Sequence, residues 1–500
     1  MLILSAKQIR QWDLFTMERE PIASIDLMEA AAIRCFNWLQ QNNYCQFPFH
    51  IFCGKGNNGG DGLAVARMLS KQGLKTAVHI LELGQKGTND FQTNLARLHE
   101  TDAAIHYIQT PAHFPVVPAG HIIIDALFGT GLNRKMEGLT AELVQHINSF
   151  SNPIISIDMP SGMLADDSSK GYPVVKATHT ISFQCLKMAF MMPENENYTG
   201  KVHVLDIGLM RNYLSHISYE SILVEEDVIK AMYRPRQRFS HKGSFGHAAM
   251  VAGSYGFMGA ATLAANACMR SGVGKLTCHI PQCGYEIMQL SAPEAMSKVE
   301  PGINYIVSVS GIEKYDAMGI GPGIGLFDSH EQMLRAIFSG YKKPLVIDAD
   351  ALNTLSLHTD LLQQIIPFSI LTPHPAEFDR LFGKQDNDFA RMRMAQQKAK
   401  ELQVIIILKG HRTFIAMPGG NSFFNSTGNP GMATGGSGDV LTGILTGLLA
   451  QQYPPEQAAL LGVYLHGLSG DYAAAKLTEE AMIASDITGH LNKAFGWLKK

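Results

Sequence analysis

The chain has 500 residues, which is enough for two to four domains, and 46% of them are hydrophobic, so sizeable buried cores are expected. The net charge is −3 at neutral pH, and a protein that binds nucleic acid needs an excess of basic side chains, so this balance argues against that class. Charged residues make up only 17% of the chain, and this low fraction favours a homo-oligomer.

The cysteines argue against a disulfide framework and against a zinc site, because their number is odd and none forms a Cys-x-x-Cys pair. The apolar start of the chain is too short for the core of a signal peptide. No apolar run reaches the roughly 18 residues that a membrane span needs. We therefore expect a cytoplasmic protein with no membrane partner. The seven cysteines are Cys35, Cys45, Cys53, Cys185, Cys268, Cys278 and Cys283.

The first part of the chain alternates strand-like and helix-like segments. HIFC (50–53) and TAVHILEL (76–83) are apolar and strand-like, and LAVARMLSKQG (63–73) between them is helical in pattern. Two further apolar strands end at Asp125 and Asp158. Their β-branched residues are continuous rather than alternating, which is typical of strands buried on both faces. Strands interleaved with helices predict a Rossmann-like, doubly wound parallel sheet.

A second α/β pattern begins near residue 240. Between the two patterns, the region 211–243 breaks the alternation and contains Pro235, so we place the domain boundary near 210–225. An alanine-rich helix is predicted at 259–272, and a long apolar helix follows the glycine loop within 434–450. The strand-like segments of this half are 246–254, 275–280, 317–325, 344–353, 369–378 and 404–416.

The loop GNNGGDG (56–62) lies between a predicted strand and a predicted helix. Its glycines would let backbone N–H groups approach an anion at the positively polarised start of the helix. The loop lacks the Gly-Lys-Ser/Thr of an ATPase loop and does not match Gly-x-Gly-x-x-Gly, so the kind of anion or nucleotide stays open. The alternative interpretation is a tight turn in which Asn and Asp cap the helix.

Two carboxylates, Asp125 and Asp158, end predicted strands beside glycine-containing loops. Ligands of open α/β sheets bind at the carboxyl ends of the strands. Two carboxylates at that edge are candidates for proton transfer or for binding a cation. For each residue alone, capping of the next element explains the position equally well.

The segment TGGSGDVLTG (434–443) places small residues directly before the long apolar helix. The N–H groups of Gly435–Gly438 are candidates for an anion hole that holds a transferring phosphoryl group. Asp439 is a candidate base for a substrate hydroxyl. The alternative is ordinary capping of the helix by Ser437 and Asp439. Transition-metal chemistry is disfavoured because the histidines show no His-Glu-x-x-His spacing.

The two halves resemble two known families. Residues 1–215 resemble the NAD(P)H-hydrate epimerase family, and residues 225–500 resemble the NAD(P)H-hydrate dehydratase family, whose fold is ribokinase-like. The fused arrangement resembles that of bacterial bifunctional repair enzymes. The motifs of the first half are GNNGGDG (56–62), DALFGTGL (125–132), SIDMPSG (156–162) and ISFQCLKMAF (181–190). Those of the second half include HKGSFGH (241–247), GPGIG (321–325), VIDADALN (346–353), LTPHPAEF (371–378), LKGHRT (408–413) and GGSGDVLTG (435–443).

The resemblance implies a specific activity. Reduced nicotinamide cofactors take up water on their dihydropyridine ring and form R and S hydrates, which dehydrogenases cannot use. The epimerase half would interconvert the two hydrates of NADH and NADPH, with K⁺ bound. The dehydratase half would use ADP with Mg²⁺ to convert the S hydrate into NAD(P)H, AMP and phosphate.

The resemblance also implies the site residues. It assigns hydrate binding to both halves, a nucleotide site to the second, and a potassium site to the first. Proton handling is assigned to Asp158 and Lys187 in the first half and to Asp439 in the second. The hydrate-binding residues are Asn57, Asn58, Gly59, Gly60, Asp61, Gly129, Thr130, Gly131, Leu132, Asn133, Arg134, Lys135, Asp158, Ala260, Gly323, His374 and Asp439. The nucleotide-binding residues are Lys409, Gly410, His411, Arg412, Thr413 and Gly438, and the K⁺ ligands are Asn58, Asp125 and Ser161.

Two other hypotheses stay open at the level of the sequence. A ribokinase-like small-molecule kinase fused to a nucleotide-binding module explains GGSGDVLTG equally well, but it does not explain the first domain. A kinase would release a phosphorylated product, whereas a dehydratase would release inorganic phosphate. The first half is alternatively a binding module without catalysis, in which case replacing Asp158 would leave epimer exchange unchanged.

Overall fold

The computed structural model describes residues 1–20, 22–217 and 221–499. The chain divides into two compact units. The first is formed by Met1–Tyr219 with Asn387–Phe389, and the second by Glu220–Asp386 with Ala390–Lys500. Within the described residues, no helix has the length and apolar character needed to cross a membrane.

The first unit alternates strands and helices along most of its length. Its strands are β1 (Leu2–Ile3), β2 (Phe49–Cys53), β3 (Thr76–Leu81), β4 (Ala104–Ile108), β5 (Ile122–Ala126), β6 (Ile154–Ile157), β7 (His179–Phe183) and β8 (Lys201–Leu205). Its helices are α1 (Ala6–Arg19), α2 (Ser24–Gln41), α3 (Asn57–Lys71), α4 (Asn89–Leu98), α5 (Gly138–Asn148) and α6 (Glu196–Thr199).

Strands β2–β8 form one sheet in the order β4-β3-β2-β5-β6-β7-β8, and all neighbouring strands are parallel. The prediction of a doubly wound parallel sheet is therefore confirmed. The chain moves outward from β2 to β4 and then returns to place β5 beside β2. Parallel sheets of this kind bind ligands outside the carboxyl ends of the strands, at the point where the order reverses. That point lies where β2 and β5 end.

Both faces of this sheet are buried, which explains why its strands lack alternation. Along β2, Ile51 and Cys53 pack into a cluster with Leu63 of α3, whereas Phe52 packs into a second cluster with Leu143 of α5. Burying each such large apolar side chain contributes about 1.5–3 kcal/mol, so the strand positions are strongly fixed. The loops that follow the strands are thereby fixed at one edge.

The second unit is also α/β. Its strands are β9 (Ser221–Val224), β10 (His247–Val251), β11 (Lys275–Ile280), β12 (Met296–Val299), β13 (Ala317–Ile320), β14 (Leu345–Ile347), β15 (Ile370–Leu371), β16 (Ile405–Leu408), β17 (Phe414–Ala416) and β18 (Ser422–Asn425). Its helices are α7 (Glu226–Met232), α8 (Met258–Arg270), α9 (Tyr285–Ser291), α10 (Ser329–Gly340), α11 (Ala349–Leu357), α12 (Pro375–Phe382), α13 (Asp388–Leu402), α14 (Ser437–Ala450), α15 (Pro455–Leu477) and α16 (Ala484–Trp497).

These strands follow the order β9-β18-β17-β16-β15-β14-β13-β10-β11-β12. The pairs from β10 to β16 are parallel, whereas β17 runs antiparallel to both of its neighbours. The strand-like segment 404–416 is accordingly two strands, separated by a turn that Thr413 closes with a hydrogen bond to the Gly410 carbonyl (2.8 Å). The segment 344–353 likewise ends its strand at Ile347 and continues as α11.

Helix α14 is apolar because it lies inside the second unit and packs on α8. Two of its glycines permit this close approach. A Cβ at Gly443 would lie 2.2 Å from the Ala264 carbonyl oxygen, and one at Gly447 would overlap the Ser271 hydroxyl. The first turn of α14 is therefore held in place by packing along the rest of the helix.

A chain of histidines on the first-unit sheet predicts acid sensitivity. His50 Nδ1 lies 3.0 Å from His79 Nε2, and His50 Nε2 lies 3.1 Å from His121 Nδ1. Burial, together with the charges of neighbouring histidines, lowers the pKa of His50 to about 4 and that of His79 to about 3. The unfolded chain, with histidine pKa near about 6.5, therefore binds more protons below that pH.

We expect the free energy of unfolding of the first unit to fall as the pH drops from about 6.5 toward 4, by about 1.4 kcal/mol per pH unit for each extra proton that the unfolded chain binds. Urea unfolding at several pH values, followed by tryptophan fluorescence, measures this slope. The variant His79→Phe should have a shallower slope. An unchanged slope would show that the buried histidines do not set the acid sensitivity.

Candidate active sites

The carboxyl end of β5 carries a fully buried carboxylate, Asp125. Its oxygens accept hydrogen bonds from the hydroxyl of Ser156 (2.7 Å) and from the hydroxyl and N–H of Ser161 (2.5 and 2.8 Å). Burial raises the pKa of Asp125, and these hydrogen bonds oppose the rise. Ser161 also accepts a hydrogen bond from Phe128 N–H (2.8 Å), so Asp125 ties the loops after β5 and β6 together.

Asp158, directly after β6, forms an ion pair with Lys187. The Lys187 ammonium donates to Asp158 Oδ1 (2.9 Å), to Ser182 Oγ (2.5 Å) and to the Phe183 carbonyl (3.2 Å), and its side chain is fully buried. Burial acts to raise the pKa of Asp158, but the Lys187 charge and a hydrogen bond from Thr130 N–H outweigh it and lower that pKa. Asp158 is therefore ionised. The three protons of the Lys187 ammonium are all donated in hydrogen bonds to Asp158, Ser182 and Phe183.

Asp158 also has an unusual backbone conformation. Its φ of 66° lies in the left-handed region, which residues other than glycine rarely occupy. Such conformations cluster at functional sites, where surrounding contacts hold them in place. Here the contacts are those with Lys187 and Thr130.

The glycine loop after β2 opens helix α3, so Asn57–Asp61 form its first turn. The N-cap is Gly56 and no side chain caps the helix, so the capping interpretation of the Asn and Asp residues does not describe this turn. Asn58 is 9% exposed, and neither its amide nitrogen nor its amide oxygen has a hydrogen-bond partner among the described residues. A Cβ at Gly129 would lie 2.3 Å from Asp158 Oδ2 and 3.3 Å from Asn58 Cγ, so both side chains lie close to that glycine.

The structure adds one acidic group that the sequence motifs missed. Asp13 of α1 is close enough to Asp158 and Lys187 to interact with their charges. Asp61 likewise interacts with the charges of Asp158 and Asp13. Burial and the Asp158 charge, opposed by Lys187, raise the pKa of Asp13 to about 7, and burial with the surrounding carboxylates raises the pKa of Asp61 well above its ordinary value. The signal that could have found Asp13 is a carboxylate within an otherwise amphipathic helix, which is too common to be informative.

The segment Gly129–Lys135 lies in the loop between β5 and α5, and its last residue lies in the wall of a cavity. Thr130 contributes its N–H to Asp158, and the Lys135 ammonium lies 5.6 Å from the centre of the Tyr172 ring. The cavity has a volume of about 560 Å³ and includes Lys135, Tyr172 and Lys176 in its wall. The predicted hydrate-binding residues Gly131, Leu132, Asn133 and Arg134 lie in this same loop.

The residues predicted to hold K⁺ fit a hard monovalent cation. Asn58 has a buried amide oxygen without a partner in the described residues, and the Asp125 carboxylate at the end of β5 accepts hydrogen bonds from Ser161 in the loop after β6. Hard cations prefer such oxygen ligands. By contrast, no group of three or more His, Cys, Asp and Glu side chains in the described residues is arranged to hold a metal ion.

The second unit has a buried ion pair of its own. Asp348 follows β14, is 1% exposed, and accepts hydrogen bonds from the Lys409 ammonium (2.8 Å) and the Thr442 hydroxyl (2.7 Å). Glu377 of α12 lies 3.7 Å from the same ammonium. Burial acts to lower the pKa of Lys409, but these two carboxylates outweigh it and raise that pKa. Lys409 is therefore a fixed positive charge at the end of β16.

Asp439 lies in the first turn of α14, close to this ion pair. A Cβ at Gly438 would lie 3.2 Å from the Lys409 ammonium and 3.6 Å from Asp348 Oδ2. Burial and the Asp348 charge, opposed by Lys409, raise the pKa of Asp439 to about 7. The N-cap is Gly436, with φ of 91°, and no side chain caps α14, so the capping interpretation of Ser437 and Asp439 does not describe this turn.

His374 has a structural role in the second unit. Its Nδ1 accepts hydrogen bonds from the N–H groups of Ala376 (3.1 Å) and Glu377 (3.4 Å), and Glu377 accepts one from His374 N–H (2.8 Å), so it caps α12. Its side chain remains 46% exposed on the outer side. His374 can therefore meet a ligand while it caps the helix.

Two further predicted hydrate-binding residues, Gly323 and Ala260, lie against each other. Gly323 has φ of 64°, and a Cβ at that position would lie 2.6 Å from the Phe257 carbonyl oxygen and 3.0 Å from the Ala260 Cβ. Glycine is therefore required at position 323, both by its conformation and by the space available.

The predicted nucleotide-binding segment Lys409–Thr413 forms the turn between β16 and β17. Lys409 is fixed by the carboxylates described above, and Arg412 donates to the Ser426 carbonyl (3.2 Å). Burial lowers the pKa of Arg412, against the effect of Asp471. Gly410, His411 and Thr413 lie in the same turn, and Gly438 faces Lys409 across it.

Known proteins with this organisation match along both units. A family model described as NAD(P)H-hydrate dehydratase matches residues 248–493, and one described as YjeF-related protein N-terminus matches residues 24–189. The second unit resembles the crystal structure of an ADP/ATP-dependent NAD(P)H-hydrate dehydratase from Bacillus subtilis, co-crystallised with ATP and Mg²⁺. That match has 32% identity and a TM-score of 0.50, and it covers 55% of this chain and 98% of the other. The predicted α/β fold of this unit is thus confirmed.

Whole-chain relatives join the two matches. The chain is 34% identical over 516 residues to the bifunctional NAD(P)H-hydrate repair enzyme of Moorella thermoacetica, covering 98% of this chain and 96% of the relative. It is 30% identical over 450 residues to the bifunctional enzyme of Escherichia coli, covering 89% of this chain and 84% of the relative. The resemblance noted from the motifs is confirmed, and the chain belongs to the family of bifunctional NAD(P)H-hydrate repair enzymes.

Proposed function

We propose that this chain repairs hydrated NADH and NADPH in two steps. Residues 1–215 interconvert the R and S hydrates, and residues 225–500 dehydrate the S hydrate with ADP as the phosphoryl donor. The products of the second step are NAD(P)H, AMP and phosphate. The observation that carries this proposal is that each unit has its own buried lysine–carboxylate ion pair beside a glycine-rich helix start.

In the first unit, Asp158 handles the proton and Lys187 keeps it ionised. All three ammonium protons of Lys187 are used by Asp158, Ser182 and Phe183, so the lysine acts as a fixed charge rather than as a donor. The first turn of α3 and the loop Gly129–Lys135 bind the hydrate around Asp158. K⁺, held by Asn58, Asp125 and Ser161, would supply positive charge for the negatively charged hydrate.

In the second unit, Asp439 takes the proton of the ring hydroxyl while that oxygen attacks the β-phosphorus of ADP, and AMP leaves. The C–O bond to phosphate then breaks, since phosphate is a much better leaving group than hydroxide. The adjacent ring carbon loses a proton to solvent, and the ring double bond of NAD(P)H forms. Lys409–Thr413 and Gly438 hold the nucleotide phosphates, and Ala260, Gly323 and His374 hold the hydrate. Mg²⁺, when bound with the nucleotide, would screen the phosphate charges.

Recovery of reduced-nicotinamide absorbance tests both activities together. A mixture of R and S NADH hydrates is incubated with the full chain and ADP, ATP or no nucleotide, and spontaneous epimer exchange is subtracted. We expect complete recovery with ADP, because a dehydratase alone would stop at the S fraction. Inorganic phosphate should appear in equal amount.

The other outcomes separate the parts of the proposal. Recovery with ATP alone would contradict ADP as the donor and leave the repair activity standing. Recovery limited to the S fraction would contradict the assignment of residues 1–215 as the epimerase. A stable phosphorylated product without recovery would identify a small-molecule kinase instead.

The low charge fraction of the sequence supports a homo-oligomer. Light scattering coupled to size-exclusion chromatography measures the mass directly. A mass of 54.7 kDa would show a monomer and contradict this part of the proposal.

A further inference from the structure

Exchange of the two hydrates needs an acid–base group on each face of the nicotinamide ring. Water adds to an enamine at the carbon next to nitrogen, so loss of the hydroxyl from that carbon leaves a planar iminium ion. The hydroxyl must be protonated on the face from which it leaves, and the entering water must lose a proton on the opposite face. Asp158 supplies one group, and Lys187 has no free proton to supply the other.

Helix α1 is held against the segment that carries Lys187. Leu4 N–H donates to the Leu186 carbonyl (3.3 Å), and Trp12 packs in one cluster with Leu4 and Cys185. The Trp12 indole also donates to the Met210 carbonyl (2.8 Å). The residue that follows Trp12 on this helix is therefore fixed in position near the ion pair.

That residue is Asp13, and its carboxyl group is open to a ligand. No group in residues 1–20, 22–217 and 221–499 donates a hydrogen bond to it or forms an ion pair with it. The charges of Asp158, directly after β6, and of Lys187, after β7, shift the pKa of Asp13. The charge of Asp13 in turn raises the pKa of Asp61 in α3 and of Cys185.

A second observation is that an unpartnered polar side chain lies beside Asp158. Asn58 is buried and lies beside Asp158 at Gly129, yet both polar atoms of its amide lack partners in the described residues. Leaving a buried amide unpaired costs about 1–3 kcal/mol, so such a group normally meets a ligand, ion or water in use. The open carboxyl of Asp13 and the open amide of Asn58 thus both belong to the surroundings of Asp158.

We propose that Asp13 is the second acid–base group of the epimerase and works with Asp158 on the opposite face of the ring. This inference rests on the proposed epimerase function. Asp13 gives its proton to the hydroxyl, the C–O bond breaks, and water leaves behind the iminium ion. A water molecule adds to the other face, its oxygen forms the new C–O bond, and its proton passes to Asp158. The reverse exchange uses the same groups with their protonation exchanged.

The electrostatics suit Asp13 to the role of this acid. A general acid works best when its pKa lies near the working pH. The pKa of Asp13 is raised to about 7 because Lys187 opposes burial and the Asp158 charge. The pKa of Asp61 is also raised, by burial and by the charges of Asp158, Asp13 and Asp90.

The test is epimer exchange by the full chain carrying Asp13→Asn, measured by chromatography of purified NADH hydrates. We expect kcat to fall by about 100-fold or more while KM changes little, because the amide keeps the shape and loses the proton. In the unaltered chain the rate should fall as the pH rises above about 7, where both carboxylates are ionised. This fall should be absent from the residual activity of the variant.

Two controls keep the test decisive. Glu18→Gln removes an exposed carboxylate from the same helix and should exchange hydrates at the normal rate. ADP-dependent dehydration of the S hydrate by each variant reports that the chain is intact. If Asp13→Asn does not fold, Asp13→Glu should fold, exchange hydrates more slowly, and keep the fall in rate above neutral pH.

Three results would overturn the inference. The first is an unchanged kcat and an unchanged pH profile in Asp13→Asn. The second is a rise in KM with an unchanged kcat in Asp13→Asn. The third is that the exchange rate of Asp13→Glu no longer falls above neutral pH. The second result would mark Asp13 as a binding residue only. Absence of exchange in the unaltered chain would instead contradict the proposed epimerase function itself, before any variant is considered.

Discussion

Replacing Asp439 with asparagine is expected to lower the rate of dehydration of the S hydrate by about 100- to 10,000-fold, the range typical of a lost general base. Burial and the Asp348 charge, opposed by Lys409, raise the pKa of Asp439 to about 7, so the rate of the unaltered chain should increase as the pH rises through neutrality. The measurement is NADH formation from S hydrate and ADP at several pH values.

This loss should be confined to the second unit. Asp439 does not cap α14, so asparagine leaves the start of the helix unchanged, and epimer exchange by the same variant should be normal. Glu313→Gln, which alters an exposed carboxylate of this unit, serves as the matched control. A variant Asp439→Asn that dehydrates at the normal rate would show that another group takes the hydroxyl proton.

The sequence located the functional groups that end strands or lie in glycine loops. Parallel sheets bring the carboxyl ends of their strands to one edge, so a residue that follows a strand is predicted to lie at that edge. This position identified Asp125 and Asp158 in the sequence, and the glycine loop before α14 identified Asp439. The continuous apolar strands of the first half predicted its parallel sheet, since burial on both faces explains the missing alternation.

The partners of these groups could not be predicted from spacing. Asp348 meets Lys409 only because β14 and β16 are both neighbours of β15 and their ends converge on α14. Asp13 reaches the first site through the packing of α1 beside Leu186, which no local pattern encodes. The sequence pattern also predicted 404–416 as one strand-like segment, although its polar middle, 409–413, is the turn between two antiparallel strands.

The ion pair in the first unit should have the largest effect on stability. Lys187 is fully buried and Asp158 is nearly so, with 15% of its side chain exposed. Removing one partner of a buried pair costs about 3–5 kcal/mol, because the remaining charge stays buried without compensation. We therefore expect Lys187→Met to lower the free energy of unfolding of the first unit by about that amount at neutral pH.

The loss should depend on pH in a defined direction. Without the Lys187 charge, burial raises the pKa of Asp158 instead of being outweighed, so the folded variant takes up a proton that the unfolded chain does not. The difference in unfolding free energy between the unaltered chain and the variant should therefore shrink as the pH falls from about 8 toward 5, because the contribution of the buried histidines is common to both chains. Urea unfolding of chains that also carry Trp497→Phe restricts the fluorescence to Trp12 and Trp38 of the first unit.

The double variant Lys187→Met/Asp158→Asn separates stability from catalysis. Removing the orphaned carboxylate should restore much of the lost stability, because the buried charge has gone with its partner. Epimer exchange should remain abolished, since the asparagine cannot take a proton from the entering water. If instead the two single losses simply add in the double variant, the 2.9 Å contact between Lys187 and Asp158 does not stabilise the folded chain.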